Sequence, residues 1–215
     1  MPLKKESFEA LKAYIPEGSF ELVMPLIQHY KVHLVVTRER QTKLGDFRRA
    51  HLGKNHRITV NGNLNRFAFL ITLLHELAHL LAYEEHGHRI APHGRQWKDT
   101  YGKLLKGFLE KDIFPEDIAR ELMLSLHNPA ASSCAEDALL RVLRGYDPNA
   151  HLKVWVEELA VGTLFVIKDG RVFERGEKVR KRIRCYELPY RRVFLFSPLY
   201  EITQLLSNNT QNVGS

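Results

Sequence analysis

The run from Phe67 to Ala82 is apolar at every position except Thr72, His75, Glu76 and His79, and a chain carrying it must fold so as to bury it. Phe67, Ile71, Leu74, Ala78 and Leu81 make one stripe at helical spacing. Leu70, Leu73, Leu77 and Leu80 make a second, and Ala68, Thr72, His75, His79 and Ala82 a third. A helix apolar nearly all round is a core helix. Asn63 or Asn65 can cap its start, and Gly87 can close it after Glu84 to His86. As a membrane span the run falls short, since its uncharged stretch ends at His75 and a bilayer needs roughly 20 residues. Met1 to Glu6 is charged, with no apolar signal-peptide core behind it. Cys134 and Cys185 are far apart and read as reduced thiols. The expectation is a soluble cytoplasmic protein with no membrane partner.

The polar interruptions spell His75-Glu76-Leu77-Ala78-His79, an H-E-x-x-H arrangement. Positions i and i+4 of a helix lie one above the other, so both imidazoles can meet one metal ion. Catalytic zinc usually takes three protein ligands and leaves a fourth position open. Glu76 stands where a carboxylate can accept a proton from water at that position. The chain has 11 histidines, so a chance pentapeptide with satisfied core histidines is the plain alternative. Burying two imidazoles and a carboxylate without partners would cost several kcal/mol, however. A metal removes that cost, and the small residues beside the histidines leave room for it.

A third ligand has to come from farther along. The metzincin spacing would require Gly at 82 and His at 85, where this chain has Ala82 and Glu85. A glutamate from a later helix would be Glu110 or Glu121, and neither has local support. His86 and His88 read as residues of a solvated loop. His93 is the better candidate. It sits in the turn Pro92-His93-Gly94, which leads into a helix containing Trp97, Tyr101 and Leu104, so the helix behind it can fix its position.

H-E-x-x-H, then about fourteen residues, then His93-Gly94-x-x-Trp97 resembles the SprT-like family, which includes the Spartan proteases. The order of elements matches as well: N-terminal helices, a small sheet, the H-E-x-x-H helix, a loop, and a histidine-glycine opening the next helix. The resemblance covers roughly Phe20 to Ile118. It implies a compact zinc metalloprotease core with one Zn2+ per chain, held by His75, His79 and His93, and Glu76 as general base. It also implies protein substrates, and in Spartan-type members DNA-dependent cleavage of proteins crosslinked to DNA. One departure is clear: many members carry a cysteine-rich zinc ribbon behind the core. With only two cysteines, in no C-x-x-C pair, this chain cannot build one.

The remainder reads as an α+β arrangement. Helices are expected at Lys5 to Tyr14, at Phe20 to Tyr30 with Ser19 as cap, at Gly94 to Leu109 and at Pro115 to Leu126. Short strands are expected at Val32 to Thr37, Gly45 to Ala50 and His56 to Val60. The zincin-type metalloprotease core would thus occupy 1–128. A linker follows at 129–150, with a short spacer helix at Ala135 to Leu143. A small antiparallel β module would fill 151–206, and 207–215 a polar tail. Within that module, Thr163 to Lys168 and Arg171 to Glu174 should form a hairpin around Asp169-Gly170 with a type I′ turn. Lys178 to Cys185 and Arg192 to Phe196 supply two further strands.

The net charge of +7 is unevenly spread. On a strand, Lys178, Arg180, Arg182 and Arg184 would share one face, with Tyr186, Tyr190 and Phe173 near enough to offer stacking surfaces. Such a face suits single-stranded nucleic acid, whether DNA or another. The bland reading is a solvated sheet face that discourages edge pairing. A second basic group, Arg38, Arg40, Lys43, Arg48, Arg49, Lys54 and Arg57, lies on the sheet before the core helix, where an edge strand could take extended substrate. The expected function is therefore zinc-dependent hydrolysis of protein substrates. The competing class is a nucleic-acid-associated binding protein that keeps the zinc site without proteolysis.

Overall fold

The computed structural model describes residues 8–40, 42–126, 129, 134 and 136–206. The chain divides into two compact units, Met1–Pro148 and Asn149–Ser215. Helices and two small sheets make the class α+β.

The first unit opens with a 3-10 turn, Glu9–Ala13, where a longer helix was expected; Lys5 and Glu6 lie outside the described residues. Helix α1 (Phe20–His29) follows Ser19, but the Ser19 hydroxyl donates to the Pro16 carbonyl rather than capping the helix. Strands β1 (His33–Thr37), β2 (Gly45–Arg48) and β3 (Arg57–Asn61) pair in the order β1-β3-β2, with β1 parallel and β2 antiparallel to β3. The register lines up Leu34, Ile58 and Phe47 in one row and Val36, Val60 and Gly45 in the next. This face receives α2 (Arg66–His86), which packs on β2 and β3.

Asn65 caps α2 by accepting from the Ala68 N–H at 2.9 Å, as its sequence position allows. Phe69, Leu70, Leu73, Leu74, Leu77, Ala78 and Leu80 are all fully buried, so the helix is the centre of the core. Each such Leu or Phe contributes about 1.5–3 kcal/mol relative to exposure. By length and hydropathy alone α2 could cross a membrane, because it runs 21 residues where the sequence reading counted only to His75. Yet 72% of that apolar window is buried by the protein's own fold. Helices α3 (Arg95–Leu109) and α4 (Glu116–Ser125) begin and end close to their expected bounds.

Helix α5 (Asp137–Arg144) is not a free spacer. Leu139 and Leu143 are 2% and 3% exposed and belong to the core of the first unit. The Leu143 carbonyl accepts from Asn65 Nδ2 at 2.8 Å, which ties α5 to the start of α2. Of the linker expected at 129–150, residues 130–133 and 135 lie outside the described residues, as does 207–215.

The second unit is a five-stranded antiparallel sheet in the order β7-β6-β5-β4-β8. Its strands are β4 (Leu164–Val166), β5 (Val172–Val179), β6 (Arg182–Glu187), β7 (Arg192–Phe196) and β8 (Gln204–Leu206). Phe165, Phe173, Ile183, Cys185 and Phe196 form its core. The β4–β5 hairpin closes through Gly170 N–H to Ile167 O at 2.9 Å and Ile167 N–H to Arg171 O at 3.1 Å. Only Gly170 has positive φ there, at 84°, so the expected type I′ turn is corrected: this is a three-residue loop ending in a glycine bulge.

Candidate metal centre

His75 and Glu76 are 5% and 6% exposed on α2, deep in the first unit, and His79 stands one turn on. His93 reaches them from the turn before α3. Gly94 N–H bonds back to the Ala91 carbonyl at 2.9 Å, and His93 holds φ 57°, the third position of a type II-like turn that favours Gly or Asn. A histidine kept in that conformation costs of order 1 kcal/mol or more, the kind of local strain that collects at functional sites. The result is convergence. His93 Nε2 lies 3.1 Å from His75 Nε2 and 2.9 Å from His79 Nε2.

Three imidazole nitrogens turned on one point cannot all be satisfied by one another, because each neutral ring offers one lone pair and one N–H. A cation satisfies all three. Nitrogens about 2.0–2.1 Å from a tetrahedral ion stand about 3.3 Å apart, close to the two separations from His93. Among the described residues these three histidines are the group that could hold a metal ion. Burial is the main cause that keeps them neutral, followed for His75 by the other two imidazoles, for His79 by His93, and for His93 by Lys98. It pushes His75 down to about 3 and His79 to about 4, and lowers His93 as well. Neutral imidazole is the form that binds a metal. Trp97 on α3 backs the site, its ring centroid 4.6 Å from His75, 5.1 Å from His79 and 4.7 Å from His93, and Tyr101 stacks on Trp97 and meets His75 edge-on at 5.9 Å.

Glu76 sits on the sheet side of the centre. Its carboxylate accepts from the Phe47 backbone N–H and lies against Gly45. Burial pushes its acid up to about 8, and the Asp46 charge adds to this; the Phe47 N–H, Arg40 and Lys43 pull the other way. A dication at the three nitrogens would oppose the rise. Asn61 N–H bonds to Leu44 O at 2.9 Å, so by antiparallel alternation Asp46 and Arg48 bond to β3 while Gly45 and Phe47 turn their peptide groups outward. The free edge of β2 therefore faces Glu76.

A cleft of about 260 Å3 opens on the His79 side, lined among others by Phe47, Arg49, Tyr83, His88 and Trp97. Tyr83 and His88 thus reach the site, while His86 lies 3.8 Å from Glu85 and Arg95 stands 3.8 Å from Asp99 on the surface. Glu110 lies 3.7 Å from Lys106 and is not part of the histidine cluster; nor is Glu121. The sequence reading passed over Gly45 and the Phe47 amide. A glycine inside a short strand was the one available signal.

The basic residues of the second unit are arranged otherwise than expected. Lys178 to Cys185 is not one strand: Lys178 is the last residue but one of β5, Arg180 is in the turn with φ 54°, and Arg182 and Arg184 lie on β6. Arg182 and Arg184 share a face with Tyr186, opposite to Ile183 and Cys185, whereas Lys178 is registered with Ile183. Phe173 is 0% exposed and offers no stacking surface; Tyr190 is 73% exposed. Arg191 pairs with Glu174 and lies over Tyr186. In the first unit, Arg40 is structural, donating to Asn61 Oδ1 and Thr59 Oγ1 at 2.8 Å each.

Comparison of the chain with protein-family models, with curated proteins and with solved structures gives no match.

Proposed function

We propose that this chain is a zinc-dependent metallopeptidase of SprT-like type, built on a zincin-type core, that hydrolyses protein substrates in the cytoplasm. The observation that carries the reading is the meeting of three neutral imidazoles, with His93 Nε2 about 3 Å from each of the other two, a carboxylate at the next helical position and an open cleft beside them. An all-imidazole donor set with room for a fourth position suits zinc. When bound, zinc would supply Lewis acidity toward the scissile carbonyl and acidify a water beside it.

The chain's own residues do the rest. Glu76 takes a proton from that water and passes it to the leaving amine. The Phe47 N–H and the close-set Gly45 hold its carboxylate in place. The other outward peptide groups of β2, the Gly45 N–H and the Gly45 and Phe47 carbonyls, offer an extended substrate a partner for strand pairing. Tyr83 and His88 stand in the cleft, where a developing oxyanion needs a donor. The second unit supplies the nucleic-acid association of this reading through Arg182 and Arg184, with Lys178 and Arg180 at the end of the same hairpin.

The test is metal-dependent cleavage of an unfolded protein by the full chain. Activity should vanish with a zinc chelator and return when zinc is restored. Chelator-insensitive cleavage would overturn the metal-dependent reading. Full zinc loading without cleavage would favour the non-proteolytic binding protein.

A further inference from the structure

We propose that the end of the three-stranded sheet is a docking groove for an acidic segment of a protein substrate. A cavity of about 960 Å3 lies between the C-terminal end of α1, the ends of the strands and the β2–β3 connection. Among the described residues no acidic one lines it. The strand register sets His33, Arg57 and Arg48 side by side in one row across all three strands. Like charges directly opposite across a strand pair are destabilising. Arg48 is relieved by Asp46 at 2.9 Å, but Arg57 has no carboxylate partner among the described residues, nor do Lys31, Arg49 and Lys54 around the same cavity. An anionic guest would supply what this row lacks.

The connection from β2 to β3 gives a second, independent sign. His51 and Lys54 bond to each other through both backbone pairs, at 3.3 and 3.0 Å, and close a two-residue turn. Leu52 and Gly53 both have positive φ, 47° and 75°. Asn or Gly belongs at the first of these positions, and a leucine there is strained. Its side chain is 86% exposed at the rim of the cavity. Two bonds steady the loop: Ala50 N–H to His56 Nδ1 at 3.1 Å, and His56 Nε2 to Glu84 at 3.2 Å on α2. A strained, exposed leucine on an anchored loop is placed to meet an apolar side chain of the guest.

The lining decides what kind of anion fits. The apolar residues beneath it are aliphatic, the nearly buried Ile27, Val32 and Leu34, with Leu52 exposed at the rim and Phe8 the one Phe, Tyr or Trp among the described lining residues. Single-stranded nucleic acid wants aromatic platforms for its bases. A peptide that carries carboxylates between aliphatic side chains matches both the cations and the floor. Arg49 lines this groove and the metal cleft alike, so the groove continues the path of a chain leaving that cleft. Read with the peptidase proposal, on which this consequence rests, it selects substrates with an acidic segment beside the cleaved bond.

The experiment is fluorescence anisotropy with a labelled peptide of alternating Glu and Leu, titrated with full-length, zinc-loaded Glu76→Gln protein. Binding should be salt-sensitive, weakened at least tenfold by Arg57→Glu, restored by Arg57→Lys and weakened by Leu52→Ser, with no variant lowering the melting temperature. The matching Lys and Leu peptide should not bind. No binding of the acidic peptide, indifference to Arg57→Glu, or stronger displacement by a single-stranded oligonucleotide than by unlabelled peptide would overturn the proposal. Binding is read without catalysis, so a peptide that binds a protein with no protease activity leaves the groove standing and removes only the peptidase reading.

Discussion

Gly45 on β2 and Glu76 on α2 are packed so closely that a Cβ at position 45 would stand 2.8 Å from Glu76 Cγ and equally close to Thr72 Cγ2. The Glu76 and Thr72 side chains cannot both stay where they are if that atom is added. Gly45→Ala should therefore displace the carboxylate while leaving the three histidines in place. The expected result is one metal per chain, a folded protein, and kcat/KM lower by about 100-fold, the scale of a misplacement near 1 Å. Steady-state kinetics beside metal analysis checks it.

Glu76→Gln keeps the shape of the side chain and removes its proton chemistry. Metal stoichiometry should be unchanged and cleavage should fall by at least about 100-fold, the lower end of general-base effects. Cleavage by this variant at the wild-type rate would contradict the role given to Glu76.

The metal-free protein should be most stable near pH 6.5. Glu76 has a folded value of about 8 against an ordinary 4.5, so its folded form holds a proton that the unfolded chain releases, and stability falls as pH rises across that window. His75 and His79, at about 3 and about 4 against 6.5, refuse protons that the unfolded chain accepts, so stability also falls as pH drops below 6.5. Glu76→Gln should abolish the alkaline fall and leave the acid one, raising Tm at pH 8 by at least ~2 °C. Thermal melts of chelated protein from pH 4 to 8.5 read both limbs.

The third ligand separates from its neighbours by substitution. His93→Ala should lower zinc affinity by at least about 100-fold, whereas His86→Ala should leave it within about threefold, since His86 lies outside the cluster. Competition with a chromogenic chelator measures both.

Leu139→Ala should destabilise the protein by about 2–5 kcal/mol, because Leu139 is packed in the first unit's core. Denaturant unfolding checks it, and a change below about 0.5 kcal/mol would return α5 to the role of a spacer.

Much of the centre was legible because helical periodicity is a local property. The i, i+4 histidines, the Asn65 cap and the Gly87 stop all follow from spacing within one element. His93 could be reached from its place at the mouth of a helix. What escaped depends on how separate elements meet. Gly45 acquires its meaning only when β2 is laid against α2, and nothing near it in sequence mentions Glu76. The same holds for α5, whose strongly two-sided pattern announced a buried face but not its neighbour. The basic run of the second unit failed for a different reason. Alternation from Lys178 to Arg184 suits one strand or two, and the turn at Arg180 carries no Gly, Asn or Asp to mark it.

The central claim is hydrolysis of a peptide bond at the three-histidine centre through Glu76. The most direct measurement is cleavage of an unfolded protein such as reduced casein by the zinc-loaded full chain, with and without single-stranded DNA, beside Glu76→Gln under the same conditions. The account predicts discrete fragments from the wild-type protein and intact substrate with the variant. Intact substrate in every lane, with one zinc per chain confirmed in both proteins, would contradict it.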